Sequence, residues 1–410
     1  MRTHADVVVV GGGIGGSSVS AALARQGIDV LVLERTAEHH DRVRGEYLTP
    51  WGVAETQKLG LYDDLLAAGG HHTKQTIPFS EGVPPDAARK RALDLTTSCE
   101  KVPGAICMQH VVMCNALNAS SRKAGAEIVK PVERIQVLPG AEPKVRFVHD
   151  AKLHEVTCRL VIGADGRGSA VAKQAGITLH KDPPHHLMSG LLVEGVEEWP
   201  EDTQAIGVEG DVVFYIFPQG GGRARLYLAY SREQSARFSG PDSAPRFLEA
   251  FHLSSVPGSD ILARSRPAGP CHGYPNEDTW SDDPTAPGVV LIGDAAGHND
   301  PTIGQGLSIT FRDARLVSDI ILNNRHLSQS SFRPYAEERH ERMRRLRFVG
   351  RLYSTLRAEF GDEARARRRR AAERVAADPS VMLPFVAMFK GPEALPREAF
   401  EQPAWDRFIG

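Results

Sequence analysis

The residues that most restrict the chemistry of this chain lie in three separated glycine-rich segments. They are GGGIGG at positions 11–16, GADGRGS at 163–169 and GDAAGHNDPTIGQG at 293–306. Glycines in such segments let the backbone approach a ligand more closely than a side chain would allow. The first segment alone indicates a nucleotide. The three segments in this order indicate one FAD molecule held by distant parts of the chain.

The first segment stands between a predicted strand and a predicted helix. Val7–Val10 is a short β-branched run, which is typical of a buried parallel strand. The helix begins near Ile14, and its N-terminal amides would face the phosphates. A second strand, Ile28–Leu33, ends in an acidic residue that can accept bonds from ribose hydroxyls. The cofactor contacts predicted here are Gly11, Gly13, Ile14, Gly15, Gly16, Glu34 and Arg35.

The remaining elements predict the organisation of the chain. A helical stretch covers Trp51–Ala68, a Pro/Gly-punctuated stretch covers Pro78–Asp86, and a helix starts at Gln109. Strands Leu160–Ile162 and Val289–Ile292 lead into the second and third glycine segments. Val212–Phe217 and Arg225–Tyr230 flank a glycine turn and predict a hairpin, with Leu226 and Leu228 on one side and Arg225 and Tyr227 on the other.

The predicted fold class is α/β. It comprises a discontinuous Rossmann-like FAD-binding domain with a parallel sheet, an inserted sheet-rich substrate domain and a helical C-terminus. The predicted ranges are 1–75 with 100–182 and 271–335 for the FAD-binding domain, 76–99 with 183–270 for the substrate layer, and 336–410 for the helical region. A pocket between the two sheets is the natural substrate site.

Composition limits the class of partner. The chain has 410 residues and a formal net charge of −2, which argues against nucleic acid and membrane surfaces. No apolar run approaches the roughly 18 residues of a membrane span, and the first strand follows too early for a signal peptide. The five cysteines lack CxxC or metal-ligand spacing. We therefore expect a cytoplasmic protein without a metal site.

As a set, the motifs resemble the single-component FAD-dependent monooxygenases of the aromatic-hydroxylase type, over roughly positions 1–335. The resemblance implies that Asp165 and Gly166 bind the pyrophosphate near the nicotinamide route, and that Gly293 and Asp294 bind the ribityl chain. It also implies a cofactor contact by Arg44. At the start of the mid-domain helix, where the family often has an arginine, this chain has Gln109, an uncharged donor.

The third motif departs from many aromatic hydroxylases, which have GDAAH where this chain has GDAAG. This form, with Gly45-Glu46, looks more like flavin-dependent halogenases and geranylgeranyl reductases. Halogenases carry a WxWxIP segment. The tryptophans of this chain, Trp51, Trp199, Trp280 and Trp405, are too scattered to form it.

The resemblance implies that reduced flavin reacts with O2 to give a C4a-hydroperoxide, which hydroxylates a small aromatic substrate. NAD(P)H would act as a transient co-substrate, because the chain has no second GxGxxG. The residues expected along the flavin ring are Pro301, Gly304, Gln305, Gly306 and Leu307. His298 is a candidate substrate-activating group, and Tyr215 and Phe217 are candidate pocket residues.

Three alternatives remain open at this point. The enzyme alternatives are a flavin-dependent halogenase and a double-bond reductase. An alternative of another class is a non-catalytic flavin redox sensor, which would not consume NADPH in response to a substrate. The sequence leaves the substrate, the choice between NADPH and NADH, and the oligomeric state open, although the long C-terminal helices could pack on a second copy.

Overall fold

The computed structural model describes residues 2–409, so Met1 and Gly410, the outer ends of two predicted ranges, lie outside the description. The strands, in chain order, are β1 (Val7–Val10), β2 (Val30–Leu33), β3 (Tyr47–Leu48), β4 (His71–Thr73), β5 (Gln75–Ser80), β6 (Leu93–Asp94), β7 (Ala105–Cys107), β8 (Glu127–Val129), β9 (Glu133–Leu138), β10 (Lys144–His149), β11 (Lys152–Thr157), β12 (Leu160–Gly163), β13 (His180–Lys181), β14 (His186–Glu194), β15 (Thr203–Glu209), β16 (Val212–Gly220), β17 (Arg223–Tyr230), β18 (Arg266–Pro267), β19 (His272–Asn276), β20 (Thr279–Trp280), β21 (Thr285–Ala286) and β22 (Val289–Leu291). The helices are α1 (Ile14–Arg25), α2 (Pro50–Lys58), α3 (Tyr62–Ala67), α4 (Pro85–Lys90), α5 (His110–Lys123), α6 (Ala170–Gln174), α7 (Ser243–Glu249), α8 (Ser259–Ala263), α9 (Gly306–Asn323), α10 (Arg333–Arg357), α11 (Asp362–Ala377), α12 (Leu383–Lys390) and α13 (Gln402–Ile409).

A parallel sheet carries the three glycine segments. Its strand order is β21-β22-β12-β1-β2-β8, in which β21 runs antiparallel to β22 and the other pairs run parallel. Val7 and Val9 of β1 pack among residues of α1, α5 and α9, whereas Val8 and Val10 pack among residues of the β9–β11 meander and α6. Because both faces are covered, β1 is an unbroken apolar run rather than an alternating one.

A second, mixed sheet forms the other layer, with the order β18-β14-β17-β16-β15-β5-β6 and β19 also paired to β14. The hairpin of β16 and β17 is confirmed, and its register sets Tyr215 opposite Tyr227. Leu226 and Leu228 pack on one face of the sheet and Tyr227 on the other, as predicted. Two strands of this sheet depart from the predicted ranges of the substrate layer. Strand β5 starts one residue before 76–99, and β19 starts two residues after the end of 183–270.

The C-terminal residues are helical. Helix α10 packs along α9, and α12 packs on both α2 and α10. The predicted fold class, α/β with a parallel sheet, a second sheet layer and a helical C-terminus, is confirmed.

Three local expectations need correction. The helical stretch Trp51–Ala68 divides into α2 and α3 because Gly60 takes a left-handed φ of 65° and ends α2. The second strand begins at Val30 rather than Ile28. Pro78 lies inside β5 and pairs with Ile206 of β15 on one side. On the other side, β6 pairs only with Gln75 and Thr76, so it does not extend to Pro78. A proline fits there because that part of β5 is an edge, where no N–H donor is needed.

Candidate active site

A cavity of about 490 Å³ lies between the carboxyl ends of the parallel strands and the inner face of the mixed sheet. Both the cofactor residues and the pocket residues predicted from the sequence line it. They are Gly11, Gly13, Ile14, Gly15, Glu34, Arg35, Arg44, Asp165, Gly166, Tyr215, Phe217, Gly293, Asp294, His298, Pro301, Gly304, Gln305, Gly306 and Leu307. Gly16 and Gln109 do not line the cavity, and the neighbour of Gln109, His110, does.

The first glycine turn leaves a cradle shaped for a ligand. A Cβ on Gly16 would lie 1.8 Å from the carbonyl oxygen of Gly11, and a Cβ on Gly11 would lie 2.4 Å from that of Ala164. These two glycines therefore permit close packing of the backbone. A Cβ on Gly13, in contrast, would meet no protein atom within 4 Å and would protrude into the cavity. The open space at Gly13 fits a pyrophosphate at the start of α1.

Glu34 ends β2 at one wall of this cradle. Its carboxylate accepts a hydrogen bond from the Gly12 amide at 2.6 Å and from the Thr36 amide at 2.8 Å. Burial would raise the pKa of Glu34, but the hydrogen bonds from Thr36 and Gly12 outweigh burial and lower that pKa. Glu34 is therefore ionised at neutral pH, as an acceptor for ribose hydroxyls must be.

The aspartate of the second glycine segment lines the cavity and also bonds to the start of α6. The carboxylate of Asp165 accepts hydrogen bonds from the Ser169 hydroxyl at 2.6 Å and from the Ala170 amide at 2.7 Å. It therefore caps the start of α6 and shapes the turn. Gly166, with a left-handed φ of 76°, has open space where a Cβ would stand, so its backbone is free to approach a ligand.

Two arginines and one aspartate concentrate charge at the middle of the cavity. Arg167 lies 3.2 Å from the carboxylate of Asp294. Burial raises the pKa of Asp294, but the nearby basic groups, chiefly Arg167 and then His298 and Arg44, together outweigh burial and bring that pKa below the ordinary value. Arg44 lines the same region, and Asp294 offsets only one of the two guanidinium charges. The net positive charge suits the phosphates of a dinucleotide.

The third glycine segment continues into a loop fixed by its own side chains. Asp300 accepts a hydrogen bond from the Thr302 amide at 2.9 Å. The Gln305 side chain accepts from the Trp51 indole at 2.9 Å and donates to the Met388 carbonyl at 3.2 Å. The Gln305 amide group is therefore engaged with protein. Helix α9 begins directly after it, with Gly306 and Leu307 at the cavity wall.

His298 is a neutral side chain at the junction of the two sheets. Its Nδ1 lies 2.8 Å from the hydroxyl of Thr279, and its Nε2 has no partner within the described chain. Burial, assisted by the charge of Arg167, lowers the pKa of His298 to about 4. An imidazole with that pKa is a hydrogen-bonding group at neutral pH rather than a charged one.

One part of the cavity wall, here called the chamber, consists of uncharged and mainly aromatic side chains, and it reaches the third glycine segment at Ile303. Tyr47 stacks on Phe217 with ring centroids 4.7 Å apart, and Tyr215 and Tyr227 each lie 6.1 Å from the same ring. Burial raises the pKa of Tyr274 to about 12, so its phenol stays protonated. The chamber wall consists of Tyr47, Met188, Ile206, Tyr215, Phe217, Tyr227, Tyr274, Ile303, Met388 and Phe389.

A buried ion pair supports this chamber from behind. Arg225, which is fully buried, contacts the carboxylate of Glu46 at 2.9 Å and that of Asp41 at 2.7 Å. Burial alone would lower the pKa of Arg225, but Glu46, with Tyr227 and Asp41, outweighs burial and raises that pKa. The pair joins β17 to the segment that carries Arg44 and so fixes the substrate layer to the cofactor domain.

Sequence reasoning missed several of these residues. Arg167 lies within the second glycine segment, so the sequence offered a reason to expect it near the cofactor site and beside Asp294. Arg225 had a signal too, because an arginine in an apolar, alternating strand needs a buried partner. Nothing in the sequence indicated that Met388 and Phe389 line the cavity. They lie far along the chain, in a helix whose apolar pattern does not distinguish them from core residues.

The glycine segments, the parallel sheet and the cavity are those of a flavoprotein oxidoreductase. The sequence profile of the FAD binding domain family matches residues 4–347. The chain belongs to this family, it is an enzyme, and its cofactor is FAD. The predicted resemblance to FAD-dependent monooxygenases is thereby confirmed.

Reductases and hydroxylases are among the known proteins that are similar to this chain. Digeranylgeranylglycerophospholipid reductase 2 of Methanopyrus kandleri is 28% identical over 330 residues, covering 77% of this chain and 76% of that protein. Aklavinone 12-hydroxylase DnrF of Streptomyces peucetius subsp. caesius is 29% identical over 332 residues, covering 74% of this chain and 65% of that protein. The crystal structure of p-nitrophenol 4-monooxygenase PnpA from Pseudomonas putida DLL-E4 superposes with a TM-score of 0.79 and 18% identity, covering 96% of this chain and 99% of that one.

Within residues 2–409, no helix has both the length and the apolar character needed to cross a bilayer.

Proposed function

We propose that the protein is an NAD(P)H-dependent FAD monooxygenase that hydroxylates a small, neutral aromatic substrate. The observation that carries this proposal is the continuity of the cavity. One end is a charged backbone cradle for a dinucleotide, and the other is an uncharged chamber of tyrosine, phenylalanine and methionine side chains. A charged substrate would lose its hydration in such a chamber without gaining an ionic partner.

The overall reaction balances with one O2 and one NAD(P)H. One oxygen atom replaces a ring C–H by C–OH, and the other leaves as water with two electrons from NAD(P)H and one proton. FAD supplies the electron transfer and the activation of O2 when it is bound. The protein residues hold the cofactor, orient the substrate and keep water out of the chamber.

Particular side chains have distinct parts in this proposal. The turn at Gly11–Gly16, Glu34, Arg44 and Asp294 hold the cofactor. The hydroxyls of Tyr47 and Tyr215 are buried without a hydrogen-bond partner within the described chain, so they can orient an oxygen-bearing substrate. His298 contributes its free Nε2 as a polar contact at neutral pH. Pro301 and Gly304 present backbone at the cavity wall, where a flavin ring would meet peptide groups.

The test is anaerobic reduction of the yellow protein by NADPH and by NADH, with and without a panel of phenols and indoles, followed by turnover under ¹⁸O2. We expect one compound class to accelerate reduction and to gain a single labelled oxygen atom. Reduction without label in any product would overturn the hydroxylase assignment. The proposal also includes a cytoplasmic location, which cell fractionation checks, and it extends to a homodimer, which sedimentation checks.

A double-bond reductase is the second candidate, and the similarity to the Methanopyrus kandleri reductase favours it. The two activities differ in product mass, because a reductase adds two hydrogen atoms and no oxygen. A halogenase would need halide and a separate flavin reductase. A redox sensor would give no product at all.

A further inference from the structure

The C-terminal helix α12 reaches the cavity although it lies outside the part of the chain that the family profile matches. That match ends at residue 347, whereas Met388 and Phe389 line the cavity. We propose that α12 selects the substrate, with Phe389 as its principal specificity-determining residue. This inference rests on the proposed function, because it takes the uncharged chamber as the substrate site.

The backbone of α12 is held against the cofactor loop at the two residues concerned. The carbonyl of Met388 accepts a hydrogen bond from Gln305 at 3.2 Å, and the carbonyl of Phe389 lies 3.6 Å from the thiol sulfur of Cys99. Gln305 in turn accepts from the Trp51 indole at 2.9 Å. The side chains at 388 and 389 therefore have fixed positions relative to the loop after the third glycine segment.

The residues that follow α12 are fixed as well. One nitrogen of Arg345 donates to the carbonyls of Pro392 and Leu395, each at 3.0 Å. Glu393 pairs with Arg312, whose guanidinium lies over the Trp51 ring at 5.2 Å from its centroid. A wall anchored on both sides in this way selects by shape, since it cannot move aside for a larger ligand.

The chemistry of the wall favours a flat, uncharged ring. Met388 is only 7% exposed and packs in the same cluster as Tyr215 and Phe217 of the sheet opposite. Thioether and phenyl groups facing phenols enclose an aromatic ring through sulfur–aromatic and ring–ring contacts. The volume between α12 and the opposite sheet depends on the size of the side chain at position 389. A shorter side chain there should therefore admit larger ring systems.

The experiment compares Phe389→Ala with Phe385→Ala in the FAD-loaded full chain. Phe385 lies one turn earlier on α12, where it packs on Phe408 and Tyr353 with ring centroids 5.4 and 6.3 Å away, and it does not line the cavity. Phenol and 1-naphthol are the probes. Dissociation constants come from calorimetry, and kcat/KM comes from product formation.

We expect Phe389→Ala to shift the 1-naphthol to phenol ratio, in both Kd and kcat/KM, by roughly tenfold or more toward the larger probe. Phe385→Ala should leave this ratio unchanged although it removes a comparable ring. FAD content and reduction by NAD(P)H without substrate should stay the same in Phe385→Ala, and circular dichroism should show that both variants are folded.

Unchanged ratios in Phe389→Ala, with labelled oxygen still incorporated, would overturn the role of α12 and leave the proposed function intact. Absence of oxygen incorporation in the wild-type protein would instead remove the proposed function, and the calorimetric ratio would then decide the role of α12 alone. If the wild-type protein binds neither probe, the chamber is not an aromatic site and both inferences fail.

Discussion

The two ends of the cavity recognise their ligands by different means. At the proposed cofactor end, the cavity wall offers open backbone at Gly13 and Gly166, with charged groups such as Arg44 and Glu34 around it. At the proposed substrate end, the wall presents side chains such as Tyr215 and Phe389, which stand on a sheet and on a helix distant in sequence. We therefore expect cofactor binding to depend on positions that lack a side chain, and substrate binding to depend on which side chains form the wall.

This difference explains why we expect substitutions at the two ends of the cavity to have unequal effects on folding. A substitution at Gly11 or Gly16 creates a clash with backbone, which cannot move without disrupting β1 and α1. A substitution at the substrate end alters the shape of a side-chain wall, and the fold can remain intact. The experiments below test this contrast, beginning with the largest expected effect.

Replacing Gly16 by alanine should abolish FAD binding. The new Cβ would stand 1.8 Å from the Gly11 carbonyl oxygen, so α1 could not keep its packing on β1. The measurement is the ratio of flavin to protein absorbance after purification, with circular dichroism to monitor folding. Gly27→Ala is the control, because a Cβ there meets nothing within 4 Å and costs only about 1 kcal/mol for its left-handed φ of 80°. A flavin-replete Gly16→Ala protein would remove the steric basis of the comparison.

The state of His298 should appear as a pH dependence of stability. Because burial lowers its pKa from 6.5 to about 4, the unfolded chain binds the proton first as pH falls. The free energy of unfolding should therefore decrease between about pH 6.5 and about pH 4, by roughly 3 kcal/mol at most for this group. Urea titrations across that range measure it, and His298→Asn should flatten the dependence. An equal slope in both proteins would mean that His298 binds its proton with the same pKa in the folded and unfolded states, so burial would not keep it neutral down to about pH 4.

Replacing Arg44 by methionine should weaken FAD binding by roughly 10- to 100-fold while the protein stays folded, since a hydrogen bond to a charged phosphate is lost. Flavin fluorescence titration of the apoprotein gives the dissociation constant. Arg223→Met, on the exposed end of β17, is the matched control and should bind FAD like the wild type. If the two variants behave alike, the positive charge at the cofactor end contributes nothing to binding.

The smallest effect is expected for Tyr215→Phe. The chamber keeps its shape and loses one unpartnered hydroxyl, so KM for an oxygen-bearing substrate should rise by roughly 3- to 10-fold, the equivalent of one hydrogen bond. Steady-state kinetics measure the change. Tyr230→Phe is the control, because its hydroxyl bonds to Ser189 at 2.9 Å on the opposite face of the sheet. Equal KM values for Tyr215→Phe and the wild type would show that the hydroxyl does not contact substrate.

Much of the cofactor end could be predicted from the sequence because its physical demands are local. A glycine turn between β1 and α1 must use particular residue types at fixed spacings, and the same holds for Gly293 and Asp294. Even here, local reasoning missed that Asp165 caps α6 and that the Gln305 side chain is committed to Trp51 and Met388. Those roles depend on which neighbour competes for a polar group, which spacing does not reveal.

The sequence by itself determined the fold class, the FAD cofactor and the hairpin that carries Tyr215 and Phe217, because strand alternation and glycine spacing are short-range properties. Only the tertiary structure decided that Arg225 is buried against Glu46, that burial lowers the pKa of His298, and that Phe389 lines the cavity. Burial and charge pairing arise between residues far apart in the chain. They exist only once the two sheets and the C-terminal helices have packed together.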